Sequence, residues 1–186
     1  MGIQGKRVIL RAIEQSDLPA LQAWSNDTDI QHNLGGWHFP SSANVMDNWF
    51  QSLHRDELNQ RFAIDAENNE IIGTTNLINI NWKDRNAFTG LLIGQNTNRG
   101  KGYGTDAVMT LMRYAFEELG LERLDTTIIE HNEASLKLYI EKCGWKEEGR
   151  KKNWYWRNNR YWEKVILGIN RDEYFSLSEK LLYWNK

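Results

Sequence analysis

Two hydrophobic rhythms alternate along the chain, and their order sketches a fold. Runs with period two or solid apolar character read as strands over Arg7–Arg11, Arg61–Asp65, Glu70–Ile80, Ala87–Ile93 and Leu124–Glu130. Stretches with apolar residues three and four apart read as helices. The first opens at Ser16, with Asp17 and Pro19 in its first turn, and carries Leu18, Leu21 and Trp24 until the loop Asn33–Pro40 breaks it. Ser41 or Ser42 caps a second, striped by Val45, Trp49, Phe50 and Leu53. A third, Asp106–Leu119, aligns Ala107, Leu111, Ala115 and Leu119 beside Val108, Met112 and Phe116, and stops at Gly120. A fourth, Asn132–Lys142, stops at Gly144. Trp145–Trp156 and Tyr161–Ile169 close the pattern as two strands around Arg157–Arg160, and a short amphipathic helix is expected after Asp172. Glu67–Asn69 reads as a hairpin turn, and Gly73 marks a bulge. No repeat, linker or low-complexity stretch interrupts this order, so residues 1–186 read as a single domain with a substantial core.

The candidate chemistry centres on Arg99, Gly100, Lys101, Gly102, Tyr103, Gly104 and Thr105. The stretch follows a strand and precedes a helix, and glycine holds three of its positions. Without Cβ atoms the main chain can approach a ligand closely, and successive N–H groups join the positive end of a helix dipole. That is a seat for a phosphate or pyrophosphate. No Walker string occurs, and the spacing does not fit the dinucleotide pattern G-x-G-x-x-G. Arg-x-x-Gly-x-Gly fits, through Arg99, Gly102 and Gly104.

A second motif lies downstream. Asn132, Ser135, Leu138, Tyr139, Lys142, Gly144 and Trp145 follow the strand Leu124–Glu130 in the pattern N-x-x-S-x-x-L-Y-x-K-x-G-F. There is one extra residue between Tyr139 and Lys142, and tryptophan stands in the last place. In this order and separation the two motifs resemble the GNAT superfamily of N-acetyltransferases. The opening Leu10-Arg11, the strand at Arg61-Phe62 and the Glu148–Arg150 ending are similar to the subgroup of ribosomal-protein N-terminal and spermidine acetyltransferases.

The resemblance implies an α+β fold. It would have a mixed, twisted sheet of about seven strands, helices on both faces, and acetyl-CoA in the cleft between two splayed central strands, Ala87–Ile93 and Leu124–Glu130. It also implies the site. Arg99 to Thr105 would hold the pyrophosphate, and Leu92, Ile93 and Gly94 would line the pantetheine arm, with the Ile93 N–H polarising the thioester. Asn132 and Ser135 would contact the coenzyme or cap their helix. Tyr139 would be the general acid, since a phenol with a pKa of about 10 is protonated at neutral pH. For the base, Glu130 is taken first, with His131, His38 or a chain of waters as alternatives. Trp37, His38 and Phe39 are the expected substrate-binding residues, in a loop that suits a peptide N-terminus or a small-molecule amine.

Polyamine acetylation is the alternative, and a non-catalytic acetyl-CoA sensor the lesser one. A polyamine site should offer carboxylates, and Asn33–Ser42 has none, although Asp27, Asp29 and Asp47 flank it.

Bulk properties narrow the setting. A net charge of −2 gives no reason to expect a nucleic-acid partner. Apolar runs are too short for a membrane span, and no signal-peptide stretch opens the chain. The single cysteine, Cys143, fits a reducing compartment, so a cytoplasmic enzyme without a metal is expected. Nine tryptophans are unusual for this length and are expected mostly in the core or a dimer contact, and the resemblance together with the aromatic tail implies a homodimer.

Overall fold

The computed structural model describes residues 2–35, 39–53, 56–67, 70–94 and 96–185. Its strands are β1 (Gly2–Gln4), β2 (Val8–Ala12), β3 (Gln60–Ala66), β4 (Ile71–Asn81), β5 (Asn86–Ile93), β6 (Arg123–Ile129), β7 (Lys146–Arg157) and β8 (Arg160–Asn170). They form one eight-stranded sheet in the order β1-β2-β3-β4-β5-β6-β8-β7. Neighbours are antiparallel except β5 and β6, which run parallel. The strand beyond the expected seven is β1, which has too few apolar positions to show a period. It exists because Gly5 donates to the Val8 carbonyl at 2.7 Å and turns the chain back on itself.

The helices are α1 (Leu18–Ser25), α2 (Thr28–Asn33), α3 (Ala43–Leu53), α4 (Tyr103–Arg113), α5 (Glu133–Leu136) and α6 (Arg171–Lys180). Successive strand residues face opposite sides of the sheet, and β3 shows the division. Ile64 packs with Leu10, Leu77, Phe116, Leu124 and Trp145 on the α4–α6 side. Ala63 packs with Leu21, Trp24, Ile30 and Met46 on the α1–α3 side. Fully burying side chains such as Phe116 or Leu124 stabilises by roughly 1.5–3 kcal/mol each.

Three local features differ from the pattern read in the sequence. The first helix divides, because the Asp27 carboxylate accepts the N–H groups of Asp29 and Ile30 at 2.9 and 3.0 Å and starts α2 afresh. α4 begins at Tyr103, three residues before the expected Asp106, with Gly102 as its N-cap. Both α4 and α5 continue as π-helical turns, Tyr114–Glu118 and Lys137–Lys142. In the second of these, Cys143 donates to Leu138 at 3.1 Å, an i to i−5 bond. That wide turn absorbs the extra residue between Tyr139 and Lys142.

Arg11 ties β2 to its neighbours. Its guanidinium meets Asp17 at 2.7 and 3.0 Å and Asp65 at 2.6 Å. Burial raises the Asp17 carboxyl pKa, but Arg11 and the Glu14 N–H outweigh it and hold the group below its ordinary value. At the other end Asn170 caps α6 in a capping box with Glu173. The aromatic tail then folds onto its own chain. Tyr183 donates to Asp106 at 2.8 Å, Trp184 Nε1 donates to the Tyr174 hydroxyl at 2.9 Å, and Arg113 lies 4.0 Å over the Trp184 ring.

Candidate active site

The sheet opens between β5 and β6. These strands pair only at Asn86–Arg123, Ala87–Leu124 and Phe88–Asp125, although they continue to Ile93 and Ile129. A last link across the fork is the Thr126 hydroxyl donating to the Thr89 carbonyl at 2.7 Å. Main-chain groups of β5 alternate in direction. Gly90 and Gly94 donate toward β4, to Asn76 Oδ1 at 3.0 Å and to the Ile72 carbonyl at 2.9 Å. The backbone of Leu91 and Ile93 therefore turns toward the opening. Arg99 occupies the Ile93 carbonyl at 3.3 Å, so the N–H is the group that Ile93 presents there.

The glycines of the loop have separate tasks. Gly100 (φ +74) and Gly102 (φ +89) hold left-handed conformations, and a Cβ on Gly100 would meet nothing within 4 Å. They turn the chain and leave its surface open. Gly104 instead lies in the first turn of α4, where a Cβ would sit 2.7 Å from Leu138 Cδ1. It lets α4 approach α5 rather than a ligand. The first N–H groups of α4 have no intrahelical partner and no side-chain cap. Arg99 and Lys101 are exposed beside them, while Arg7 donates to the Lys101 carbonyl and lies 4.6 Å over the Tyr103 ring. Open glycine backbone, unsatisfied donors and two cations fit a diphosphate.

Asn132 caps α5 by accepting the Ser135 N–H at 3.1 Å, and its amide donates to the Asn33 carbonyl at 3.2 Å. Ser135 is half-buried. Seven residues after Asn132, Tyr139 is buried with its ring edge-on to Trp145 at 5.1 Å. Its hydroxyl bonds the Thr126 side chain, which places it at the base of the fork. Burial, with Cys143 nearby, raises the phenol well above the ordinary tyrosine value, against a smaller opposing effect of the Thr126 bond. The group is protonated at neutral pH.

Of the residues expected to act on the amine, Trp37 and His38 lie outside the described residues, and Phe39 is exposed. Glu130, the residue after β6, is half-buried, and its carboxylate makes no ion pair or hydrogen bond among the described residues. His131 is engaged instead. Its Nε2 bonds the His32 carbonyl at 3.2 Å, and its ring lies 4.6 Å from His32 and 4.5 Å from Trp162. Burial, then the neighbouring His32, Arg157 and Arg160, hold it below the usual histidine value despite that bond.

On the α1–α3 side a cavity of about 370 Å³ reaches from Trp24, Met46 and Trp49 to Arg61, Asn76 and Leu92. Among the described residues, its wall contains no aspartate or glutamate. Asp27 serves as the α2 cap, and Asp29 and Asp47 are exposed. Trp24 also explains Gly94, where a Cβ would fall 2.0 Å from the indole. The motifs do not mark this cavity. The signal for it was the charged Arg61 on the same side of its strand as the apolar Ala63.

A profile of the acetyltransferase (GNAT) domain matches residues 7–146. The chain belongs to the GNAT acetyltransferase family. This GNAT protein is 30% identical over 171 residues to an N-acetyltransferase of SPbeta prophage origin, YokL, in Bacillus subtilis (strain 168), covering 91% of this chain and 93% of that one. It is 26% identical over 173 residues to the spermidine N(1)-acetyltransferase of Vibrio cholerae, covering 93% and 98%. The crystal structure of the Vibrio cholerae spermidine N-acetyltransferase in complex with CoA and spermine matches it with a TM-score of 0.84 at 25% identity, over 91% of this chain and 98% of that one. The GNAT protein is an acetyl-CoA-dependent N-acetyltransferase with an amine acceptor, and its forked α+β sheet is the GNAT fold.

Proposed function

We propose that the acceptor is a primary amine, on a peptide N-terminus or a small molecule, that enters through the Trp24–Trp49 cavity and attacks directly at the fork. Acetyl-CoA supplies the acetyl group as an activated thioester. The carrying observation is that unlike surfaces flank the fork: the open end of α4 on one side, and a cavity without carboxylates on the other.

N–H groups from Arg99 to Thr105 hold the diphosphate, with charge from Arg99 and Lys101. Leu92 and Gly94 border the pantetheine arm, and Asn132 and Ser135 fix the start of α5 against it. The Ile93 N–H polarises the thioester carbonyl, a task worth roughly 3 kcal/mol for such a donor. Tyr139 gives its proton to the departing sulfur, and its burial keeps that proton in place until the thiolate forms. Glu130 takes the proton from the incoming ammonium, directly or through water; its unpartnered carboxylate favours it over the engaged His131.

The likeness to a spermidine acetyltransferase favours polyamines as a second reading. Against it stands the cavity wall, because a multiply charged acceptor needs anions nearby. An acceptor screen with mass-spectrometric detection of the product decides between them. Peptides or monoamines acetylated above spermidine support the first reading, and spermidine above all others overturns it.

We further take residues 1–186 as one domain, supported by a sheet continuous from Gly2 to Asn170. A cytoplasmic location is supported by the buried Cys143 thiol, whose pKa burial raises to about 12. Among the described residues, no helix is long and apolar enough to cross a membrane. For the homodimer the support moves from the tail to the exposed Trp154, Trp156 and Tyr161 on β7 and β8. Light scattering tests it.

A further inference from the structure

Among the described residues, Arg61 is the only charged side chain in the wall of the Trp24–Trp49 cavity. On β3 it shares the α1–α3 side with Ala63, while Phe62 and Ile64 pack on the other. Arg61 is half-buried and makes no hydrogen bond or ion pair among the described residues. By contrast Arg11 is matched by Asp17 and Asp65, and Arg123 by Asp125 and Glu148. A guanidinium partly removed from water and left without an anion is unfavourable, and its planar fork suits a carboxylate. Trp24, Met46, Trp49 and Leu92 give the rest of the cavity an apolar wall.

We infer that the acceptor is an amino carboxylate with an apolar side chain, its carboxylate on Arg61 and its side chain among the tryptophans. This rests on the amine-acetyltransferase reading and names its substrate class. The cavity fits the inference in size as well, since about 370 Å³ lies in the range that small-molecule sites occupy. A polyamine would meet one positive charge and no negative one in the same space.

The test uses the full chain with acetyl-CoA and leucine, phenylalanine or tryptophan, each beside its carboxamide, with spermidine as the cationic arm. Rates are read by thiol release and products by mass spectrometry. In the wild-type protein kcat/KM for each carboxylate is expected to exceed that of its carboxamide by roughly 30-fold or more, the scale of one charge-assisted pair. Arg61→Met should bring that ratio to within about threefold of one, mainly through KM. The carboxamide amine is less basic, but equally so for both proteins, so the change in ratio isolates the side chain. Arg61→Glu should turn the preference toward spermidine, a gain that a damaged fold does not give.

A wild-type ratio near one, or a ratio that Arg61→Met leaves unmoved, overturns the inference while acetylation of some amine keeps the broader reading. No thiol release above hydrolysis with any amine overturns both.

Discussion

Asp106 holds the N-terminal end of α4, the proposed diphosphate seat, against the sheet, and its removal is the most informative perturbation of the fold near the site. The carboxylate is 2% exposed. Oδ1 accepts the Lys6 N–H at 3.1 Å and the Tyr183 hydroxyl at 2.8 Å; Oδ2 accepts the N–H groups of Arg7 and Val8 at 2.7 and 3.0 Å. Gly5 makes room for it, since a Cβ there would lie 2.5 Å from Oδ2. Asp106→Asn keeps one oxygen and replaces the other by an NH₂ that faces donors. Hydrogen bonds to a charged group contribute about 1.5–3 kcal/mol each, so losing two of them predicts a loss of about 3–6 kcal/mol. That is a large part of the roughly 5–15 kcal/mol that stabilises a domain.

The assay is urea unfolding at constant m-value, with CoA affinity measured by calorimetry. Because Asp106 shares its helical turn with Tyr103 and Gly104, a loosening worth about 1.4 kcal/mol at the seat weakens CoA about tenfold. Tyr183→Phe removes one bond to this charged carboxylate and should cost about 1.5–3 kcal/mol. Its coupling to Asp106→Asn in a double-mutant cycle should be of the same size. An Asp106→Asn protein within about 1 kcal/mol of wild type, with CoA affinity intact, refutes the reasoning.

Other outcomes follow from the same geometry. Tyr139→Phe should lower kcat by roughly 10²-fold or more with CoA affinity nearly unchanged, and a variant with full turnover removes the phenol from the mechanism. Gly102→Val places a β-branched residue at φ +89, so it should abolish CoA binding and also lower stability by about 1–2 kcal/mol; retained CoA affinity argues against the seat. Asp17 has a depressed carboxyl pKa, so its stabilisation is present above the unfolded value of about 3.9 and is lost as pH falls through the lower folded value. Asp17→Asn should be less stable near pH ~7 but lose less on acidification to pH ~3 than wild type, and parallel melting curves contradict the Arg11 pairing.

The local geometry of the proposed coenzyme half was legible because its determinants are local. A left-handed turn needs glycine at Gly100 and Gly102, and a cap at Asn132 writes itself a fixed distance before Tyr139. Strands could be located along the chain from periodicity wherever one face is buried, while their order in the sheet came only with the structure. Where the reading failed, a single side chain or a wide turn had overridden local preference. Asp27 cut one helix into two, the Gly5–Val8 bond turned the chain's start back as β1, and α4 began three residues before its apolar stripe. None of these has a periodic signature, because each depends on a partner elsewhere in the chain or on a bond that competes with the helix.

The proposed acceptor half has no such contiguous code. Its wall draws Trp24 from α1, Met46 and Trp49 from α3, Arg61 from β3, Asn76 from β4 and Leu92 from β5. Each residue has an ordinary reason to stand where it does, as core tryptophan, amphipathic helix or strand alternation. Only assembly shows that one arginine among them lacks an anion while Arg11 on the adjacent strand has two. A diphosphate can be held by main-chain amides, which any sequence possesses once glycine bends it correctly. A particular amine must be distinguished by side chains, and here the side chain able to discriminate most strongly by charge is Arg61. Selectivity in this enzyme should therefore change with a substitution on β3, far in sequence from both motifs, while the coenzyme seat at α4 keeps its affinity.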